Sequence, residues 1–386
     1  MKKLKPITLD LDIKDLGITL PKELQHLSEY SKYAKWLCED VVGFHIPQFN
    51  KDGSPNLDWY SFRQYQIGSS EVATVMGLDE YGDKVKLFYS KLGEKFPFFN
   101  SRFTILGLHL ESKISEIACY HDGTDEGWIE NLFKGKMIRQ KAEIPFYAIN
   151  VNYPHLAVSL DYVMLGGQKS PFTGEVIPYD YPLEIKNISE MAYNKYDKTL
   201  PIRYLAQLQI QMLVLGCLTS EVAYMVAGND FKMMPVDLDV EFCQNLLEQS
   251  HAFWKLVEQG REVYEGYHLL DEEEKVERDL AMAEVEPDPS GTDAFKEFFA
   301  AKYKVSRIES LRMGTNEEWD LAVESKKLND VIKDTKKAKE IIDQKLKLAS
   351  RNEEVIDFGD NGRIIHRRPE GGRVSFRVNI KNWKDD

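Results

Sequence analysis

Between residues 105 and 227 the chain runs from an apolar-striped helix through three strand-like segments to a second striped helix and a fourth strand. That order closes only as helices packed on a sheet. The first helix, 105–120, repeats Leu106, Leu110, Ile114 and Ile117 at helical spacing. The strand-like segments, 136–149, 156–166 and 179–188, are apolar runs parted by Gly, Pro and Asn. The second helix, 201–216, is apolar along Leu205, Leu208, Met212 and Leu215, and residues 221–227 read as the next strand. The expected fold class is α/β of the α+β kind, a central mixed sheet flanked by helices.

Upstream, Ser69–Gly77 reads as a short helix with a Ser cap, Glu71 in its first turn and a Gly at its end. A helix over about 83–93 carries Val85, Phe88, Tyr89 and Leu92. Residues 1–58 form an N-terminal extension without an assigned role. After a helix near 238–265, the acidic run from Asp271 to the turn formers ending at Gly291 is the expected boundary. Beyond it, 316–350 is a long charged helical pattern, and 354–381 alternates like a hairpin with turns at Asp360-Asn361-Gly362 and Gly371-Gly372. The expected organisation is thus an extension (1–58), a core domain (59–270) and a C-terminal helical and hairpin module (291–386).

Composition excludes several classes. At 43% hydrophobic and 29% charged residues the chain reads as globular, and no run of apolar residues is long enough to cross a bilayer, so a cytoplasmic location is expected. Cys38, Cys119, Cys217 and Cys243 are scattered, which argues against a zinc ribbon, a disulfide framework or an iron–sulfur cluster. The histidines form no metal-binding pair, and no phosphate-cradling glycine loop is present, which speaks against ATP hydrolysis. The net charge of −13 runs against nucleic-acid binding in sum, although a local basic groove can coexist with acidic outer faces.

The chemistry concentrates in Asp161 and in Glu184-Ile185-Lys186. Alternate residues of a strand share a face, so Glu184 and Lys186 point together while Ile185 points to the core. Two carboxylates and an ammonium at one edge of a hairpin suit Mg²⁺, which takes oxygen ligands and keeps several waters. Charged strand residues are ordinarily a solvated face, but these strands are otherwise apolar on both sides, and buried charges demand partners. Glu111 on helix 105–120 supplies a third acid or an exposed helix carboxylate. Gln207 and Gln211 lie one turn apart on a helix whose remaining face is apolar. Tyr193, Tyr196 and Tyr204 near the site read as packing residues or as base-stacking surfaces.

Taken in order, Trp59-x-x-x-Arg63, Ile67-Gly68-Ser69-Ser70-Glu71, Gly107-x-x-x-Glu111, Ser159-x-Asp161, Glu184-Ile185-Lys186 and Tyr204-x-x-Gln207-x-Gln209 resemble the YqaJ-type viral recombinases. These are lambda-type alkaline exonucleases of the PD-(D/E)XK nuclease superfamily, with a restriction-endonuclease-like core. The resemblance covers about residues 59–230. It implies metal ligation by Asp161, Glu184 and the Ile185 carbonyl, with Glu111 completing the site through water, and a catalytic set of Glu111, Asp161, Glu184, Lys186 and Gln207. Lys186 and Gln207 would orient or activate the attacking water. Arg63, Ser69, Ser70 and Ser159 would hold DNA through its 5′-terminal phosphate, Arg63 and Ser70 forming the pocket itself. Two departures stand out: Leu160 and Tyr162 flank the motif Asp where the family has Pro or Ala and Gly, and 23 residues separate Asp161 from Glu184 where a tight hairpin is usual.

The function so implied is a Mg²⁺-dependent DNA exonuclease, with Mn²⁺ as a substitute cation, resecting linear duplex ends 5′→3′ for phage-type recombination beside a single-strand annealing protein. Self-assembly is left open by the motifs. The alternatives are an endonuclease of restriction or defence on the same scaffold, and a catalytically silent DNA-binding or assembly protein.

Overall fold

The computed structural model of the protein describes residues 7–9, 33–35, 41–44, 52, 54, 56–94, 102–124, 126–143, 147–150, 152–303, 313–351, 353–368 and 374–380. Most of the expected N-terminal extension and Cys38 therefore lie outside the described residues. The chain divides into two compact units, Met1–Lys304 and Val305–Asp386.

Two larger sheets position the site in the first unit, beside the small pair Ile7–Leu9 with Tyr33–Lys35. One has five strands in the order Asp230–Asp237, Thr219–Val226, Tyr181–Ile188, Tyr162–Met164, Lys141–Ala142. Its middle strand, Tyr181–Ile188, is parallel to Thr219–Val226 and antiparallel to Tyr162–Met164, so the sheet is mixed as expected. A parallel neighbour requires a crossover, and the helix Ile202–Leu215 provides it. The other sheet has four strands in the order Val41–Phe44, Tyr147–Asn150, Leu156–Ser159, Ile67–Gly68.

Two expected strands are each divided between these sheets. Segment 156–166 becomes Leu156–Ser159 in one and Tyr162–Met164 in the other, with Leu160 and Asp161 at the joint. Segment 136–149 likewise contributes Lys141–Ala142 to the first sheet and Tyr147–Asn150 to the second. Both halves of segment 156–166 are apolar, so hydrophobic pattern alone does not reveal its change of sheet.

The middle strand is covered on both faces. Helix Arg102–Ala118 packs Leu110, Ile114 and Ala118 against Leu183 and Ile185, and helix Ile202–Leu215 lies over the opposite face, which carries Glu184. Leu106, expected in the packing stripe, is instead 52% exposed, because the helix meets the sheet only from Leu110 onward. The long insert after Met164 folds on itself as a ribbon, Gln168–Lys169 with Val176–Ile177. It closes because Gly166 carries no Cβ: one built there would stand 2.6 Å from the Tyr179 carbonyl carbon.

The helix expected over Ser69–Gly77 is shorter, Val72–Val75, and Ser69 and Ser70 precede it. The acidic run expected as the boundary opens helix Glu272–Ala283, with an Asp271 capping box at its start and buried Met282 as its anchor. Next, Ser290 N–H donates to Asp83 (2.8 Å), Thr292 donates to the Gly82 carbonyl (2.9 Å), and Phe298 stacks on Tyr89 at 5.3 Å. The segment up to Lys304 thus packs with the first unit, and the division falls there rather than near 291.

The second unit contains helix Asn316–Ser350, opened by a Thr315 capping box, and the antiparallel sheet Val355–Asp357, Gly362–Arg367, Ser375–Ile380. Its first turn uses Gly359–Asn361; the turn expected at Gly371-Gly372 lies outside the described residues. The end of the helix meets this sheet through Ser350 Oγ and His366 Nδ1 (2.8 Å) and through Lys347 over the Phe376 ring (4.8 Å). Among the described residues, no helix is long and apolar enough to cross a membrane.

Candidate active site

Glu184 is the most enclosed acid of the site, 1% exposed on the middle strand. Its Oε1 accepts from Gln207 Nε2 (2.6 Å) and pairs with the Lys186 ammonium, and its Oε2 accepts from Gln211 Nε2 (2.7 Å). Lys186 shares its face, as strand alternation requires, and lies over the Tyr204 ring at 5.1 Å. Asp161 reaches the same place from the joint between the two sheets, where its Oδ2 accepts from the Ile185 N–H at 2.8 Å. Ile185 itself points to the core and is buried.

The electrostatics follow from burial. Desolvation raises the Asp161 carboxyl well above its ordinary range, and the nearby Glu184 charge adds to this, while Lys186 opposes it. Glu111, on helix Arg102–Ala118, is raised by burial and then by Glu184. Burial works against the Lys186 ammonium, but Glu184 and Asp161 together hold it above the usual lysine range. Three carboxyls thus share one ammonium, an excess of negative charge in an enclosed place.

The donor set fits a hard divalent cation that keeps its waters. Asp161 and Glu184 offer carboxylate oxygens, and Gln211 Oε1 is a buried acceptor without a hydrogen-bond partner. Among the described residues, however, no three acidic, His or Cys groups form a preformed metal cluster. Glu184 is engaged by Lys186 and the two glutamines, and Asp161 by a main-chain N–H, so both must yield lone pairs to a cation. This favours loose, water-rich binding over a closed structural site.

The residues expected to hold a terminal phosphate gather at the edge of the second sheet. Ile67–Gly68 runs parallel to Leu156–Ala157, so Ser69 and Ser70, which follow one strand, and Ser159, the last residue of the other, lie toward the same end of the sheet. Arg63 Nη2 donates to Ser70 Oγ at 3.4 Å, and the guanidinium lies over Trp59 at 4.9 Å. The guanidinium is not free: it pairs with Glu71 at 2.8 Å. Glu71 also pairs with buried Lys91 (2.6 Å) and accepts from the Gly68 N–H (2.7 Å). A Cβ at Gly68 would come within 3.0 Å of Arg63 Nη2, so glycine leaves room for this arrangement. Burial alone would raise Glu71, but Arg63 and Lys91 bring it down to about 2. Lys91 falls to about 8 because burial and the neighbouring cations outweigh its pairing with Glu71. Two cations against one anion leave the cluster basic.

Several of these partners escaped the motifs. Gln211 rather than Gln209 reaches the site, because residues four apart share a helix face with Gln207 and residues two apart do not. Gln209 instead donates to the Asp237 carbonyl (2.9 Å) and accepts from Asp239 N–H (2.8 Å). Ser159 contributes its carbonyl, which accepts from Gln211 at 3.2 Å, while its hydroxyl-bearing side is exposed. Lys91 carried no sequence signal, and neither did the buried pair of Arg139 with Glu221 (2.7 and 2.8 Å), joined by Tyr181 OH. Of the three tyrosines, Tyr204 lies at the site, Tyr196 flanks Arg203, and Tyr193 packs near Tyr224.

Comparison with known proteins bears on this arrangement. No curated protein matches the chain. Among solved structures, the alkaline exonuclease LHK-Exo from Laribacter hongkongensis superposes with a TM-score of 0.37 at 16% identity, covering 54% of this chain and 96% of that one. The same enzyme in complex with dAMP gives a TM-score of 0.35 at 16% identity, with 54% and 95% covered. Residues 58–218 match the YqaJ-like viral recombinase domain, a stretch that includes Arg63, Glu111, Asp161, Glu184, Lys186, Gln207 and Gln211. The enclosed acidic cluster of Asp161 and Glu184 thus lies within the stretch that matches this domain.

Proposed function

We propose that the protein is a metal-dependent DNA nuclease that degrades linear duplex from its ends, in the 5′→3′ direction, using Asp161, Glu184, Lys186, Gln207 and Glu111. The observation that carries this reading is the enclosed juxtaposition of Asp161 and Glu184 around Lys186, in a domain of the viral recombinase type. Asp161, Glu184 and the Ile185 carbonyl would hold Mg²⁺ or Mn²⁺, with Glu111 acting through water. The cation, when bound, supplies charge neutralisation at the scissile phosphate and makes water more acidic.

The remaining work belongs to the side chains. Lys186, kept protonated by its carboxylate neighbours, orients the attacking water and stabilises charge that develops on phosphate oxygen. Gln207 and Gln211 keep the Glu184 carboxylate in one orientation, so that no reorganisation is needed during reaction. Arg63 and Ser70, with Ser69 and Ser159 beside them, would receive a 5′-phosphate. A guanidinium is suited to this by its planar donor fork.

The test is digestion of linear duplex bearing 5′-phosphate or 5′-hydroxyl ends, with Mg²⁺ or with EDTA. Cation-dependent loss of the phosphorylated duplex, abolished by Glu184→Gln, is expected; degradation untouched by Glu184→Gln would overturn the assignment. The Arg63–Glu71 pair favours a second reading, an endonuclease, because the guanidinium already has an anion. Cleavage of closed circular duplex would establish that reading. A single-strand annealing protein as partner belongs to the proposal and is tested by co-purification.

A further inference from the structure

Helix Asn316–Ser350 is 35 residues long, about 52 Å at the α-helical rise, and meets its own sheet at its last turn. Leu321, Leu328, Val331, Ile332, Ile342 and Leu346 fall along one side at helical spacing, and the first five are 49–61% exposed. An apolar stripe of this length on a charged helix is the pattern of a coiled-coil seam.

Charge along the helix says what would cover it. Residues 316–334 hold six acids against three lysines, net −3, whereas residues 335–350 hold five lysines against two acids, net +3. A parallel copy would set like halves side by side; an antiparallel copy matches acidic half to basic half and opposes the helix dipoles favourably. Two charges interrupt the stripe itself, Glu324 and Lys339. The antiparallel register that sets Glu324 against Lys339 of a second copy also sets Leu321 against Ile342 and Val331 against Ile332. Charge complementarity and the apolar matching of four of the six stripe residues thus select the same alignment, with Leu328 facing Thr335 and Leu346 facing Glu317.

We propose that this helix pairs antiparallel with the same helix of a second copy of the chain, across a two-fold axis near Val331 and Ile332. The interface is isologous and lies outside residues 58–218, the recombinase-type domain. It does not depend on the activity proposed above.

The test uses the full-length protein with single cysteines and mild oxidation, read on non-reducing gels. Ile332→Cys is expected to cross-link to itself. Leu321→Cys and Ile342→Cys are expected to stay uncross-linked alone and to cross-link when mixed. In sedimentation, Glu324→Lys or Lys339→Glu alone should weaken association about tenfold or more by opposing like charges, and the two together should restore it. These surface substitutions leave folding intact, which circular dichroism checks. Self-cross-linking of Leu321→Cys would overturn the antiparallel arrangement. Failure of Ile332→Cys to cross-link would overturn the pairing, as would association indifferent to the charge changes or a stripe covered by the same chain in a monomer.

Discussion

Gln211 donates a buried 2.7 Å hydrogen bond to Glu184, from the same side-chain nitrogen that reaches the Ser159 carbonyl at 3.2 Å. One amide therefore ties the crossover helix, the central strand and the end of the neighbouring sheet together beside the acidic cluster. Replacing it should be felt in stability and in activity. Gln211→Leu leaves Glu184 Oε2 without that donor and is expected to cost about 1–3 kcal/mol in urea denaturation. It should also lower the rate of DNA hydrolysis at least about tenfold, by loosening the carboxylate. A variant with unchanged stability and rate would show that the bond is dispensable.

Asp161 carries the opposite relation between stability and function. Its folded-state carboxyl is raised by burial and by Glu184 above the ordinary 3.8. The stability this contributes is present below the unfolded value and is lost as pH rises through the folded one. At neutral pH without divalent cations, Asp161→Asn is therefore expected to unfold at a higher temperature than the unaltered protein while losing hydrolysis. Mg²⁺ should raise the melting temperature of the unaltered protein and not of the variant. A lower melting temperature for Asp161→Asn in EDTA would contradict this account.

Arg139, just before the edge strand Lys141–Ala142, and Glu221, on Thr219–Val226, form a fully enclosed ion pair. Removing one partner strands a buried charge, so Arg139→Ala should destabilise the fold by about 3–5 kcal/mol. Replacing both with apolar residues of similar size, Arg139→Met with Glu221→Leu, should recover most of that loss. Equilibrium unfolding of the single and double variants measures both values.

Two acid-side transitions should be separable. His155 is lowered from 6.5 to about 4 by burial and by the neighbouring His251, so its neutral form is the one the fold accepts. Stability from this source is complete above 6.5 and falls as pH drops toward 4. Glu71, lowered from 4.5 to about 2, loses its contribution only over that lower interval. His155→Gln should flatten the upper part of the stability–pH curve and Glu71→Gln the lower part, as read by urea midpoints across the range.

Arg63→Gln is expected to erase any preference for 5′-phosphorylated over 5′-hydroxyl ends while leaving Mg²⁺-dependent cleavage of the backbone measurable. Equal preference before and after the substitution would remove Arg63 from the pocket.

Much was legible from residue order. Alternation on one strand already places Glu184 and Lys186 together with Ile185 toward the core, because side chains of an extended chain repeat every two residues. Helical spacing likewise brings Gln207 and Gln211 to one face. The change of sheet at Leu160-Asp161 was hidden, since strand pairing is a long-range choice and both halves of the segment are equally apolar. The acidic run after Asp271 reads as a boundary by composition, yet its capping box opens a helix that is anchored by buried Met282.

What the sequence by itself determined is the local geometry: which side chains share a face, where helices cap, and which acids and amides are within reach of one element. Only the tertiary structure decided how Asp161 meets Glu184, that Arg63 is held by Glu71, and that Arg139 finds Glu221. Those contacts join residues distant along the chain. Their energies come from charges brought out of water together, a property of the packed fold and not of any single stretch of it.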